Sequence, residues 1–185
     1  MIPANQIPNV LTIIRIILIV PFAVFVYGHQ YLEALVVFFF AGLSDGVDGF
    51  LARQFNWKSR FGAIADPLAD KLLLMIAYVM LAWTGQIPVW LVALILGRDL
   101  VIVCGALSYH FFISHYEIHP SWFGKACTMA QIIYVLVVIV KLAEIPMPDV
   151  VVSNGLWLVA GITLFSGLHY IGVWTWRGWH VLKAK

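Results

Sequence analysis

Six apolar runs, each close to the length of a bilayer crossing, divide this 185-residue chain at roughly 8–27, 32–52, 61–83, 89–113, 124–142 and 150–176. A helix needs about 20 predominantly apolar residues to cross the hydrocarbon core, so six crossings consume about 120 residues. What remains suffices for short connections and not for a separate water-soluble domain. The expected architecture is therefore all-α, a polytopic six-transmembrane-helix bundle formed by one membrane domain over residues 1–185. Function must reside within that bundle or at its rim. The 63% apolar content, against about 45–50% for soluble domains, excludes a soluble fold. With 11% charged residues and a mean hydropathy of +0.95, neither a disordered tail nor a basic nucleic-acid module fits.

The connections fall where turn residues gather, at 28–30, 56–60, 84–86, 114–121 and 144–148, each long enough for a turn or a short interfacial segment. Arg15 lies inside the first run and no small-residue cleavage site follows, so that run reads as a span and not as a signal peptide. Lys and Arg concentrate on the cytoplasmic side of membrane proteins. Arg53, Lys58, Arg60, Lys125, Arg177, Lys183 and Lys185 fall on one side and Lys141 alone on the other. Both termini and the 53–60 connection are thereby expected in the cytoplasm, in a bacterial inner membrane. Cys104 and Cys127, in apolar surroundings and at unrelated positions, read as small packing residues.

Acidic residues carry the functional information. Asp45, Asp48, Asp66 and Asp70 lie within 26 positions and inside two predicted spans. Each intramembrane Asp costs about 2.5–3.5 kcal/mol on the insertion scale, so four uncompensated ones would forfeit on the order of 10 kcal/mol. The spacings of three and four place each pair on one helical face. The short basic connection makes the two helices antiparallel neighbours, with Asp48 about as far before the turn as Asp66 is after it. Local bases supply only part of the compensation, and those near the connection prefer the interface. Four oxygen donors suit a hard divalent cation, Mg²⁺ or Mn²⁺, with room for two ions between the helices.

Gly42, Gly46, Gly49 and Ala52 strip the acidic face of the second helix, and Gly62, Ala63, Ala65 and Ala69 do the same on the third. Each interior Gly costs about 1 kcal/mol relative to Ala. Close helix packing is one explanation, and space for a bulky ligand against the backbone is the other. Phosphates would suit paired cations, with Arg53 or Arg60 at the rim for anionic oxygens.

Read in order, Asp45, two residues, Asp48-Gly49, two residues, Ala52-Arg53, eight residues, Gly62, three residues, Asp66, three residues and Asp70 match eight identities over 26 positions. This pattern resembles the signature of the CDP-alcohol phosphotransferases. Ile7-Pro8-Asn9 with Leu11-Thr12 and Arg15, the run 66–71, and Gly124-Lys125 with Thr128 and Gln131 extend the likeness to members that use CDP-diacylglycerol. It covers most of the chain and weakens after about residue 140. The resemblance implies that Asp45, Asp48 and Asp66 bind metal, and that Asp70 approaches the second metal and acts as general base. It further implies that Gly49, Ala52 and Arg53 contact the CDP moiety, that Ser59, Asn9 and Thr12 lie near the nucleotide, and that the enzyme is a homodimer. CMP would be the leaving group and a primary hydroxyl at the membrane surface the attacking group. A carboxylate beside divalent cations is a weak base, so positioning counts for more than basicity. Arg15 and Lys71 can support the acidic cluster or serve as plain ion pairs.

The signature leaves the acceptor alcohol open. Arg98 and Lys125 are candidate ligands for an acceptor phosphate, with an Arg98–Asp99 ion pair as the alternative role for Arg98. Members using glycerol 3-phosphate usually carry Arg-Glu where this chain has Arg98-Asp99, and a second Lys where it has Cys127. Both departures resemble the cardiolipin synthases of the family, which use phosphatidylglycerol. Glycerol 3-phosphate remains the leading expectation on the frequency of such enzymes, and phosphatidylglycerol is the alternative. From another class, a cation transporter would also line helices with Asp. Transporters show repeated halves and helices broken at the midplane, whereas here the acids occur once and crowd toward the basic end. The tryptophans near span ends form an interfacial belt, Lys183 and Lys185 suit anionic headgroups, and the six histidines show no ligand spacing. His169, inside the last run, reads as a packed and hydrogen-bonded residue.

Overall fold

A computed structural model describes the backbone of residues 7–55, 60–112 and 122–183, with the side chains of 10–44, 46, 54–55, 66, 68–105 and 123–172. Over these residues the chain is helical: α1 (Ile7–Tyr27), α2 (Tyr31–Gln54), α3 (Arg60–Trp83), α4 (Val89–Phe112), α5 (Trp122–Leu142) and α6 (Asp149–Lys183). Each coincides with one apolar run. Only α6 departs clearly, continuing from the expected end at Trp176 to Lys183. The reason is local: 173–183 turns aromatic and basic without a proline, so polarity marks where hydrocarbon ends, not where the helix does.

Among the described residues, Val10–Tyr27, Phe123–Leu142 and Asp149–Gly172 are long and apolar enough to cross a membrane by length and composition, and Tyr31–Ser44 is a shorter apolar stretch. α2, α3 and α4 hold most of the charge that lies within the apolar runs. The protein is an integral membrane protein whose charged helices need partners within the fold.

The chain divides into two compact units, Met1–Ile87 with Val135–Met147, and Pro88–Tyr134 with Pro148–Lys185. In the first, α1 packs against both α2 and α3. Its buried stripe, Thr12, Arg15, Phe22 and Val26, follows the three-and-four spacing of one helical face. That face is polar near its start and apolar beyond. Phe22 meets Phe38 of α2 with ring centroids 5.5 Å apart, beside Ala34 and Ala41, while α3 contributes Ala69, Leu73, Ala77 and Leu81. In the second unit α4 packs on α6. The buried positions repeat the spacing as Leu91, Ile95 and Arg98 on α4, Cys127, Gln131 and Tyr134 on α5, and Ala160, Thr163 and Ser166 on α6. A Cβ on Gly155 would lie 2.9 Å from Tyr134 Cδ2, so a glycine there admits the tyrosine ring.

Helices α1, α3 and α5 end alike. His29 (φ 56°), Gly85 (φ 76°) and Glu144 (φ 60°) adopt the left-handed conformation. The following N–H groups of Gln30, Gln86 and Ile145 donate back to the carbonyls of Phe25, Leu81 and Val140 at 2.8, 2.8 and 3.3 Å. This is the Schellman closure, which satisfies end carbonyls that lipid cannot. Only one of the three positions carries the residue that adopts this geometry without a Cβ penalty. Gly85→Ala should therefore lower stability by about 1 kcal/mol, and Glu144→Gly should leave it unchanged or slightly raised, as read by thermal unfolding in detergent.

Candidate active site

The site begins with two parallel helices. Thr12 Oγ1 on α1 donates to Asp66 Oδ1 on α3, and one turn further along both helices Arg15 Nη1 donates to Asp70 Oδ1 at 2.5 Å. The two contacts advance together, by three residues on α1 and four on α3, which fixes the register of α1 and α3 as parallel. Thr12 and Arg15 are fully buried. Asp70, by contrast, keeps 44% of its side chain exposed while the Arg15 side chain has none, and Asp66 is half-buried. α1 thus forms a wall that meets both α3 carboxylates, a hydroxyl at Asp66 and a guanidinium at Asp70.

The energetics explain why these donors are where they are. A lone Arg or Asp in the hydrocarbon costs about 2.5–3.5 kcal/mol, and a charge-assisted bond between them in a low-dielectric setting offsets much of that cost. Breaking one partner out of such a pair is worse than removing both, because it strands a buried charge.

Asp45 and Asp48 lie on α2, nine and six residues before its end at Gln54, while Asp66 and Asp70 lie six and ten residues after the start of α3 at Arg60. The two acidic segments therefore sit at similar depth along helices joined by a short connection. The side chains of Asp45, Asp48, Gly49, Ala52 and Arg53 are outside the described residues, as is that of Asn9 on the first turn of α1. Ser59 lies outside them altogether. The backbone of α2 carries 45, 48, 49, 52 and 53 on its last three turns, and Thr12 faces Asp66. Among the described residues, nothing lies within 4 Å of a Cβ built on Gly42 or Gly46.

Arg98 and Lys125, the candidate acceptor ligands, belong to the other unit. Arg98 is buried and donates from Nε and Nη2 to Ser166 Oγ at 3.2 and 2.8 Å and from Nη1 to Asp99 Oδ1 at 2.9 Å. Its guanidinium lies 5.8 Å from the Tyr170 ring centroid, and its stem packs 3.6 Å from the Cβ position of Gly167. The Arg98–Asp99 pair is the role the structure displays, with α6 as a second partner. Lys125 lies exposed near the start of α5. Close by in the fold, Gln131 Nε2 donates to Thr163 Oγ1 at 3.3 Å and approaches Cys127 Sγ at 3.5 Å, and Cys127 Sγ is 3.7 Å from the same hydroxyl. Both cysteines are free, Cys127 buried and Cys104 exposed.

Sequence reasoning missed Ser166 and Thr163, although each is a hydroxyl at the buried spacing of an apolar run. His169 also differs from expectation. It packs against Phe123 and Tyr170 at 5.4 and 6.1 Å between ring centroids, but its buried Nδ1 has no hydrogen-bond partner among the described residues.

The family model for CDP-alcohol phosphatidyltransferase matches residues 5–174. The CDP-diacylglycerol--glycerol-3-phosphate 3-phosphatidyltransferase of Bacillus subtilis (strain 168) is 29% identical over 200 aligned positions, covering 97% of this chain and 98% of that protein. A probable phosphatidylglycerophosphate synthase of Mycobacterium tuberculosis (strain ATCC 25618 / H37Rv) is 32% identical over 170 positions, 88% of this chain and 78% of the relative. A CMP-forming cardiolipin synthase of Rattus norvegicus is 42% identical over 98 positions, 52% of this chain and 32% of the relative.

The bonds from Arg98 to Ser166 join two helices across a buried interface. A double-mutant cycle of Arg98→Met and Ser166→Ala, followed by thermal unfolding, should return a coupling of about 1–2 kcal/mol; additive losses would show that the two side chains do not support one another.

Proposed function

This chain belongs to the CDP-alcohol phosphatidyltransferase family, and we propose that it moves the phosphatidyl group from CDP-diacylglycerol to a hydroxyl of glycerol 3-phosphate, releasing CMP. The observation that carries this reading is the pair of α3 carboxylates, Asp66 and Asp70, both met by α1 at matching register, with Asp70 44% exposed. The names of the Bacillus and Mycobacterium relatives support the acceptor.

The donor set fits a divalent metal. Asp45, Asp48, Asp66 and Asp70 offer only carboxylate oxygens, which suit Mg²⁺ or Mn²⁺. These four residues would hold two such ions, which would supply charge neutralisation on the pyrophosphate and so make CMP a better leaving group. The remaining work falls to the protein. Gly49 and Ala52 leave the backbone of α2 open to the nucleotide, Arg53 meets anionic oxygens, and Asn9, Thr12 and Ser59 border the same pocket. Asp70 accepts the proton of the acceptor hydroxyl as its oxygen attacks the phosphatidyl phosphorus, and the bond from that phosphorus to the CMP oxygen breaks. Arg15 fixes the Asp70 carboxylate, so that base and nucleophile meet in a set geometry. The reaction is set at the cytoplasmic end of one catalytic membrane domain, in a homodimer in a bacterial inner membrane.

A second reading takes phosphatidylglycerol as acceptor, making the chain a cardiolipin synthase. Two observations favour it: Cys127 stands buried where glycerol 3-phosphate-using members usually carry a Lys, and Arg98 already has Asp99 and Ser166 as partners. Both features leave less cationic charge for a phosphate monoester.

Purified protein given labelled CDP-diacylglycerol and Mg²⁺ or Mn²⁺ should release CMP only when an acceptor is present, and chelation should abolish the release. Offering glycerol 3-phosphate and phosphatidylglycerol separately decides between the acceptors by the product formed. Ion flux without CMP release would instead favour a transporter. Asp70→Asn should retain nucleotide binding and lose turnover by at least about 100-fold; full activity would remove Asp70 from the proton transfer.

A further inference from the structure

We propose that the groove between α5 and α6 holds one phospholipid with an anionic headgroup, its acyl chain lying in the groove and its phosphate meeting the basic end of α6. The inference stands apart from the proposed reaction, since the residues that carry it belong to α5 and α6.

The groove is a space of about 280 Å³ lined by Phe123 and Ala126 of α5 and by Gly161, Ile162, Phe165 and Ser166 of α6. Among the described residues its lining is apolar apart from one hydroxyl, and that hydroxyl is engaged, because Ser166 Oγ accepts from Arg98. Phe123 and Phe165 are 50% and 58% exposed and stand edge to face with ring centroids 5.6 Å apart. Two rings on neighbouring helices thus form one wall. The α6 side of the groove lies within Asp149–Gly172, the stretch long and apolar enough to cross a membrane. The medium at such a surface is hydrocarbon, and an acyl chain supplies the dispersion contacts that an unfilled groove forfeits.

The same helical row continues past the span and turns basic. Ile162, His169, Trp176 and Lys183 are spaced by seven, and a helix drifts only about 20° per heptad. His169 packs on Phe123 with ring centroids 5.4 Å apart, so the row still meets α5 one heptad beyond Ile162. The helix runs unbroken to Lys183, and its backbone places Trp176, Arg177, His180 and Lys183 along the continuation of this face. Arg177 follows Phe165 by 12 positions (177 − 165), about 18 Å of rise, against about 15 Å for half of the hydrocarbon core. A chain seated in the groove therefore brings its phosphate to the depth of the bases. From 150 to 185 the sequence contains no Asp or Glu, so these positive charges meet no acid on their own helix. Bases at a membrane surface favour anionic over zwitterionic lipid. Inorganic phosphate would answer the charge alone, and a zwitterionic lipid the groove alone.

Native mass spectrometry of the full-length protein in detergent tests the assignment, with dioleoyl phosphatidic acid and dioleoyl phosphatidylcholine as probes. Wild type should bind phosphatidic acid about tenfold more tightly than phosphatidylcholine. Arg177→Gln/Lys183→Gln should bring that ratio close to one, and Gly161→Leu, which fills the groove, should weaken both lipids by at least about threefold. If Gly161→Leu does not fold, Ala126→Leu narrows the same groove from α5 and should give the same loss. Equal binding of the two lipids by wild type, or a preference untouched by the charge variant, would overturn the proposal. Undiminished lipid binding in the groove variants would overturn it as well, and a change of Gly161→Leu from dimer to monomer with lipid binding intact would assign this face to a second copy of the chain instead.

Discussion

Charge neutralisation in a medium without water governs this structure. Acids at positions 66 and 70 are tolerable within an apolar helix because α1 brings a hydroxyl and a guanidinium to them at matching register. Without that pairing α3 would have no stable place in the hydrocarbon. With it, α1 becomes the element on which the first unit is assembled, its polar end facing chemistry and its apolar end, through Phe22 and Val26, facing the core. One helical stripe serves both purposes because Thr12, Arg15, Phe22 and Val26 fall on the same face of α1.

The second unit solves a similar problem by other means. Arg98 is neutralised partly by its own neighbour Asp99 and partly by hydroxyl and aromatic groups of α6. Gln131, Cys127 and Thr163 form a weaker polar cluster in the same unit. Interhelical hydrogen bonds of this kind contribute modestly in membranes, on the order of 0.6 kcal/mol on average, and their value lies as much in fixing which helix faces meet. Gly155 and Gly167 fit that picture, one admitting Tyr134 and the other the stem of Arg98.

Much of the fold was legible in the sequence because bilayer thickness imposes a length on every apolar run, and the six helices begin and end close to those runs. The end of α6 was not legible, since tryptophan and arginine mark the interface without breaking a helix. At the site, the grouping of Asp66 with Asp70 followed from helical periodicity, but their partners did not. Thr12 and Arg15 lie more than fifty positions away, and periodicity relates residues within a helix, not between helices. The same limit hid Ser166 from Arg98. The glycines of α2 were ambiguous on paper, because closeness to another helix and openness to a ligand require the same small residue.

The length of α6 has a geometric consequence of its own. Of its 35 residues, Asp149–Gly172 account for 24, about 36 Å of rise, which already matches the oily interior of a bilayer with a modest lean. The 11 that follow (35 − 24) extend the rod by roughly 16 Å, more than the depth of one headgroup layer at about 5–8 Å. A continuous helix of this length is long enough to reach from the hydrocarbon past one headgroup layer. In a membrane enzyme such a helix has the length to bridge the boundary between lipid and water.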